Sequence, residues 1–222
     1  MFEDLSLYNT PTNRRLKAEF GLFFLAAPIV IAVLLPPTMM FQALFAFTGL
    51  GLGLLHFTPG FQWAELWHGW RNWTWRELAL FAVLMLALCT GLIYVLRPEA
   101  AFFLLRQRPE LLAVIWLAYP LVSALPQELL FRPLFFRRYA AILPEGPRAD
   151  LLNAAIFSFA HLMYWSWVVA LMTFAGGLLF SWAYRRRGSF VYAMLLHAVA
   201  GNILFAVGMG VYFYSGNVVR PF

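Results

Sequence analysis

Residues 110–136 read ELLAVIWLAYPLVSALPQELLFRPLFF, and the reading of this stretch decides the fold. Between Leu111 and Leu125 no residue carries a charge. With its continuation to Phe136, the run exceeds the roughly 20 apolar residues that a helix needs to cross a bilayer. Charges return only near its end, as Glu128 and Arg132, four residues apart and so on one face of a helix. Pro133 follows at once. It cannot donate to the Leu129 carbonyl, which predicts a kink and an open carbonyl near the carboxylate. The starting point is therefore a membrane-crossing helix that closes on an acid, a base and a break.

The rest of the chain repeats the apolar theme. Of 222 residues 63% are hydrophobic and 12% charged, against about half and a quarter in soluble domains. Further apolar runs cover Phe20 to Leu35, Met39 to Phe57, Leu78 to Leu96, Leu151 to Trp165, Trp167 to Tyr184 and Phe190 to Tyr214. With Leu111 to Phe136 they predict an all-α, polytopic transmembrane helix bundle. It has about seven spans, or eight if the last run breaks in two. The whole chain reads as a single membrane-embedded domain, with a motif-bearing core over residues 110–214. The paired glycines Gly176 and Gly177, and the series Gly49, Gly51 and Gly53, lie within spans and predict close helix packing. Cys89 lies in an apolar run and reads as a small apolar side chain.

The net charge of +6 does not point to nucleic acid, because the arginines fall in short clusters between apolar runs. Such clusters are topology signals. Arg14, Arg15 and Lys17 place the N-terminus in the cytoplasm. Alternation then puts Arg137, Arg138, Arg148 and Arg185 to Arg187 on the same side. The first apolar run reads as a retained span, since no small-residue cleavage site follows it. Arg97, Arg106 and Arg108 would lie outside, a conflict that a surface helix over 97–110 would relieve. The tryptophan-rich segment 58–77 reads as interfacial, and Asp150 as a cap for the helix after it. The expected location is a bacterial inner membrane.

Ionisable groups inside spans are costly and are functional candidates by default. Here they are Glu128 and Arg132, His161 in the fifth run, and His197 with Asn202 in the last. A buried carboxylate keeps its charge beside a cation, so Arg132 would keep Glu128 available as a base. The alternative is a structural ion pair at the membrane edge. Each histidine alone fits a packing hydrogen bond. Together, one glutamate and two histidines on three runs match two chemistries. Glu128, His161 and His197 could bind zinc and activate water. Without metal, the glutamate could act as general base while histidine stabilises an oxyanion. His56 and His68 read as interfacial.

The ordered motifs carry a family resemblance. QELLFR (127–132) resembles the EExxxR motif of the CAAX-protease and bacteriocin-processing family, FSFAH (157–161) its FxxxH motif, and HAVAGN (197–202) its HxxxN motif. The resemblance implies an α-helical intramembrane endopeptidase acting on a membrane-associated or lipidated protein or peptide. Its catalytic set would be Glu128, Arg132, His161, His197 and Asn202. Two departures stand out. Gln127 replaces the first glutamate of the pair. Asn202 comes five residues after His197, with Gly201 in the usual place, so in a regular α-helix the two side chains diverge by roughly 140°. A π-bulge at Gly201 would realign them. A non-catalytic immunity, binding or assembly protein with the same fold is the alternative. A transporter is weaker, because no interrupted spans recur in matching halves.

Overall fold

The computed structural model describes residues 11–222. The acidic stretch at the start of the chain, over residues 1–10, lies outside the described residues. Among those described, all regular structure is helical. Six helices are long and apolar enough to cross a membrane: α1 (Asn13–Leu34), α2 (Pro37–His56), α3 (Trp75–Leu96), α5 (Pro109–Arg138), α7 (Trp167–Arg185) and α8 (Phe190–Val207). Short helix α4 (Phe103–Gln107) precedes α5, in the region where a surface helix was expected. Helix α6 (Pro147–Ala160) precedes α7, and α9 (Gly210–Phe213) follows α8.

The fifth expected span is the correction. With 14 residues, α6 rises about 21 Å, short of a hydrocarbon core of about 30 Å. It ends at Ala160; His161 opens a tight turn, and Trp165 takes a left-handed conformation with φ 48°. Helix α7 then runs back along α6. Asp150 is not the cap of α6. Gly146 holds that position, and Asp150 in the first turn accepts a 2.8 Å hydrogen bond from Arg185. The last run does break in two, at Gly208. Its φ of 100° and the Ala100 carbonyl, 2.0 Å from where a Cβ would lie, both require glycine.

Helix α8 is central and packs against α3, α5 and α7. The glycine expectation divides by position. A Cβ on Gly177 would meet the Ala154 Cα at 2.8 Å, so α6 and α7 touch backbone to backbone there. Gly51 faces the end of Leu130. Gly49 and Gly53 have nothing within 4 Å. Cys89 is fully buried among apolar side chains. Trp67, Trp70 and Trp75 of the interfacial segment are exposed.

The arginines at one end of the bundle bond across elements. Arg138 pairs with Glu19, Arg137 with Glu65 at 2.9 Å, Arg185 with Asp150 at 2.8 Å and Arg187 with Glu77 at 2.5 Å. Glu77 also closes a capping box with Thr74 at the start of α3. The residues read as topology signals thus also tie helix ends together. The opposite end carries the loops after α1, α3 and α8.

Gly177→Val forces apart two backbones that cannot yield, and should cost about 1–3 kcal/mol. Gly53→Ala, facing open space, should change stability by no more than about 1 kcal/mol. Thermal unfolding of the two variants in the same detergent distinguishes them.

Candidate active site

The polar core forms where α5 stops being an α-helix. Residues Pro120–Ala124 and Leu130–Arg138 are wound as π-helix, on either side of a short α segment, Leu125–Leu129. Pro133 sits inside the second π segment, so the expected sharp break is instead a change of helical winding. The carbonyl that receives side-chain donors is that of Phe131: Asn153 Nδ2 donates to it at 2.7 Å and Arg132 Nη1 at 3.2 Å.

Glu128 and Arg132 are both fully buried. Arg132 Nε donates to Glu128 Oε2 at 2.9 Å and Nη2 to Oε1 at 3.4 Å. Nη1 also donates to Asn153 Oδ1, and to Ser181 Oγ at 3.4 Å. The Ser181 hydroxyl in turn donates to Asn153 Oδ1 at 2.7 Å. The guanidinium lies over the Phe157 and Phe180 rings, 5.4 and 5.7 Å from their centroids. It therefore has acceptors in its plane and aromatic faces beside it, a combination that suits a buried arginine.

His197 joins this network from α8. Its Nδ1 lies 2.8 Å from Glu128 Oε1. A carboxylate only accepts, so Nδ1 carries the proton and, in the neutral ring, Nε2 holds the lone pair. The Tyr119 hydroxyl is 3.2 Å from that Nε2. The Phe180 ring stacks on the imidazole, with centroids 4.8 Å apart.

His161 stands at the end of α6. Its Nδ1 lies 2.7 Å from the Phe157 carbonyl, which fixes Nδ1 as the donor and leaves Nε2 as an acceptor. Phe157 packs against both imidazoles, with centroids 4.8 Å from His161 and 5.7 Å from His197. Both histidines line one cavity of about 1190 Å³, together with Tyr119, Gln127, Phe157 and Phe180. Its far lining includes Met40, Glu99, Phe103 and Tyr214, at the end away from the arginine pairs. Glu128 is not among the lining residues; it lies behind His197. Gln127 does line the cavity. Its Nε2 donates to Ser123 Oγ at 3.0 Å, while its Oε1 is buried without a partner.

Four of the five residues expected at the site thus gather around one cavity or directly behind its wall. Asn202 does not. Helix α8 is regular through Gly201, with no π-bulge, so the divergence expected from the five-residue spacing stands. Asn202 Nδ2 donates to the Trp116 carbonyl at 3.3 Å, and Trp116 Nε1 donates to the Asn202 carbonyl at 3.0 Å. That exchange packs α8 against α5. Zinc fits poorly. Among the described residues no three His, Cys, Asp or Glu side chains are arranged to hold a metal ion. Both Glu128 oxygens and both His197 nitrogens already have partners.

Sequence reasoning did not place Ser181, Tyr119 or Asn153 at the site. A lone serine in an apolar run gives no signal by itself. Tyr119 lies within the apolar run 111–136 and carries no charge to mark it. In a regular α-helix its nine-residue separation from Glu128 also puts the two about 180° apart. The π winding between them reduces that phase difference, and both reach His197.

Residues 109–213 match the family model for type II CAAX prenyl endopeptidase Rce1-like proteins. No curated protein and no solved structure matches the chain.

Arg132→Met removes the donor shared by Glu128, Asn153 and the Phe131 carbonyl, leaving a buried charge uncompensated. It should cost about 3–5 kcal/mol. Ser181→Ala, which removes one neutral hydroxyl, should cost about 1 kcal/mol. Chemical denaturation in mixed micelles can rank the two.

Proposed function

We propose, from the match of residues 109–213 to the Rce1-like CAAX prenyl endopeptidase model, that this chain is an intramembrane endopeptidase in which Glu128 activates water through His197. The substrate would be a membrane-associated or lipidated protein or peptide. The observation that carries this reading is the 2.8 Å contact between His197 Nδ1 and the buried Glu128 carboxylate, with His197 on the cavity wall.

The carboxylate holds the imidazole in one tautomer and stabilises the imidazolium that forms when Nε2 takes a proton. Water, taking the place of the Tyr119 hydroxyl at His197 Nε2, would give its proton there, and its oxygen would attack the scissile carbonyl carbon. The tetrahedral intermediate would collapse with cleavage of the C–N bond, and Nε2 would return the proton to the leaving amine. The products are one carboxylate and one amine. With Nδ1 bonded to Phe157, neutral His161 presents an acceptor rather than a donor. It suits the task of orienting the attacking water better than that of holding an oxyanion. Arg132 keeps Glu128 ionised away from water. The cavity exceeds the several hundred Å³ of common small-molecule sites, and its walls are largely apolar, which suits a chain bearing a lipid.

One observation favours a second reading, a non-catalytic binding, immunity or assembly protein on the same fold. The side chain that reaches the cavity wall at the acidic motif is the neutral Gln127, whereas Glu128 is held behind it.

Glu128→Gln keeps the shape of the side chain and removes its charge. Under the protease reading, cleavage of a fluorogenic prenylated reporter peptide should fall by about 100-fold or more. Asn202→Ala should retain most of the rate, and 1,10-phenanthroline should leave it unchanged. A cellular phenotype that survives Glu128→Gln in a folded protein would support the binding reading instead.

A further inference from the structure

The space beside His197 at Gly201 is filled by another residue. Gly201 lies one helical turn after His197, where the motif places asparagine. A Cβ there would lie 2.0 Å from Tyr119 Cε1, 2.3 Å from Cζ and 2.6 Å from the hydroxyl. The glycine therefore admits the edge of the Tyr119 ring against the backbone of α8. The phenol that enters brings its hydroxyl to 3.2 Å from His197 Nε2, and the two rings meet edge to face with centroids 6.1 Å apart. Phe205 flanks the same ring, 5.8 Å away. Tyr119 comes from the last α-helical turn before the π segment at Pro120. The displaced amide, Asn202, turns to Trp116.

We propose that Tyr119 is a positioning residue for His197, and that Gly201 is present to admit it. Glu128 holds Nδ1–H from one side, and Tyr119 donates to Nε2 from the other. The imidazole is thereby held in a single tautomer and a single orientation. A phenol can accept as well as donate, so the contact survives when Nε2 gains a proton. Gly201, where the motif has asparagine, and Tyr119 are thus neighbours in space although they are far apart in sequence. A catalytic role for His197 rests on the protease reading; its orientation by Tyr119 does not.

The test uses the full chain in detergent micelles with ¹⁵N-labelled histidine, the His197 signals being assigned by their loss in His197→Gln. In the wild type, Nδ1 should carry the proton and Nε2 should show the shielding of a hydrogen-bonded, unprotonated nitrogen. Tyr119→Phe keeps the ring in place and should move the Nε2 signal downfield while leaving that of Nδ1. An Nε2-protonated ring in the wild type, or an unchanged spectrum in Tyr119→Phe, would overturn the proposal. The wild-type spectrum alone decides the tautomer, whether or not the variant folds. Gly201→Ala should lose folded protein or melt lower, and Tyr119→Ala in the same chain should restore it. A Gly201→Ala protein that melts like the wild type would remove the packing half of the argument. No readout depends on turnover, so a chain that cleaves nothing sinks the protease reading and leaves this one standing.

Discussion

The bundle is organised around one fully buried guanidinium. Arg132 cannot shed its charge and has no water to bond, so every donor needs an acceptor supplied by the fold. Glu128, Asn153, Ser181 and the Phe131 carbonyl supply them, from α5, α6 and α7. A register that moved any of these helices by one residue would leave a buried charge or amide unmatched. Such a group costs more than an apolar contact returns. Apolar helices slide against one another with little preference, so this polar knot selects one arrangement among many of similar packing.

The same knot reaches the cavity wall. Glu128 is held by Arg132 on one side and meets His197 on the other, so the charge fixed inside the bundle reaches the cavity through an imidazole. The stacked Phe180 ring and the edge of Phe157 keep that imidazole from turning. Beyond it the walls are largely apolar, and the cavity lining extends to Met40, Phe103 and Tyr214. A polar site at the base of an apolar chamber suits a reaction that must admit a greasy substrate and little water.

Helix α5 shows how an α-helical pattern can be overridden. Its first π segment, Pro120–Ala124, lies between Tyr119 and Glu128 and changes their relative phase, and both serve one histidine; the second, Leu130–Arg138, carries Arg132. Such winding is energetically poor in isolation and recurs at functional sites. Here the ligation of Arg132 and the close approach at Gly201 compensate for it. Helix α6 makes a comparable departure: it ends early, so that His161 sits at a helix end and not within a span.

The sequence by itself determined the class of fold. Long uncharged runs of this length read as helices in a bilayer, because a helix alone satisfies its backbone within a single segment. It also singled out Glu128, Arg132, His161 and His197, since charge and imidazole are rare in such runs and stand out against them. The count of spans was nearly legible; α6 failed because hydropathy measures composition and not the point at which a helix stops. What the tertiary structure alone decided is which polar groups meet. That Asn202 leaves the site, that Asn153 and Ser181 complete it, and that Tyr119 fills the space at Gly201 depend on helical phase and on distances between helices. Neither is written in the order of residues along one helix. The π turns change phase without a sequence signature, and the close approach of α5 to α8 appears only once both are packed.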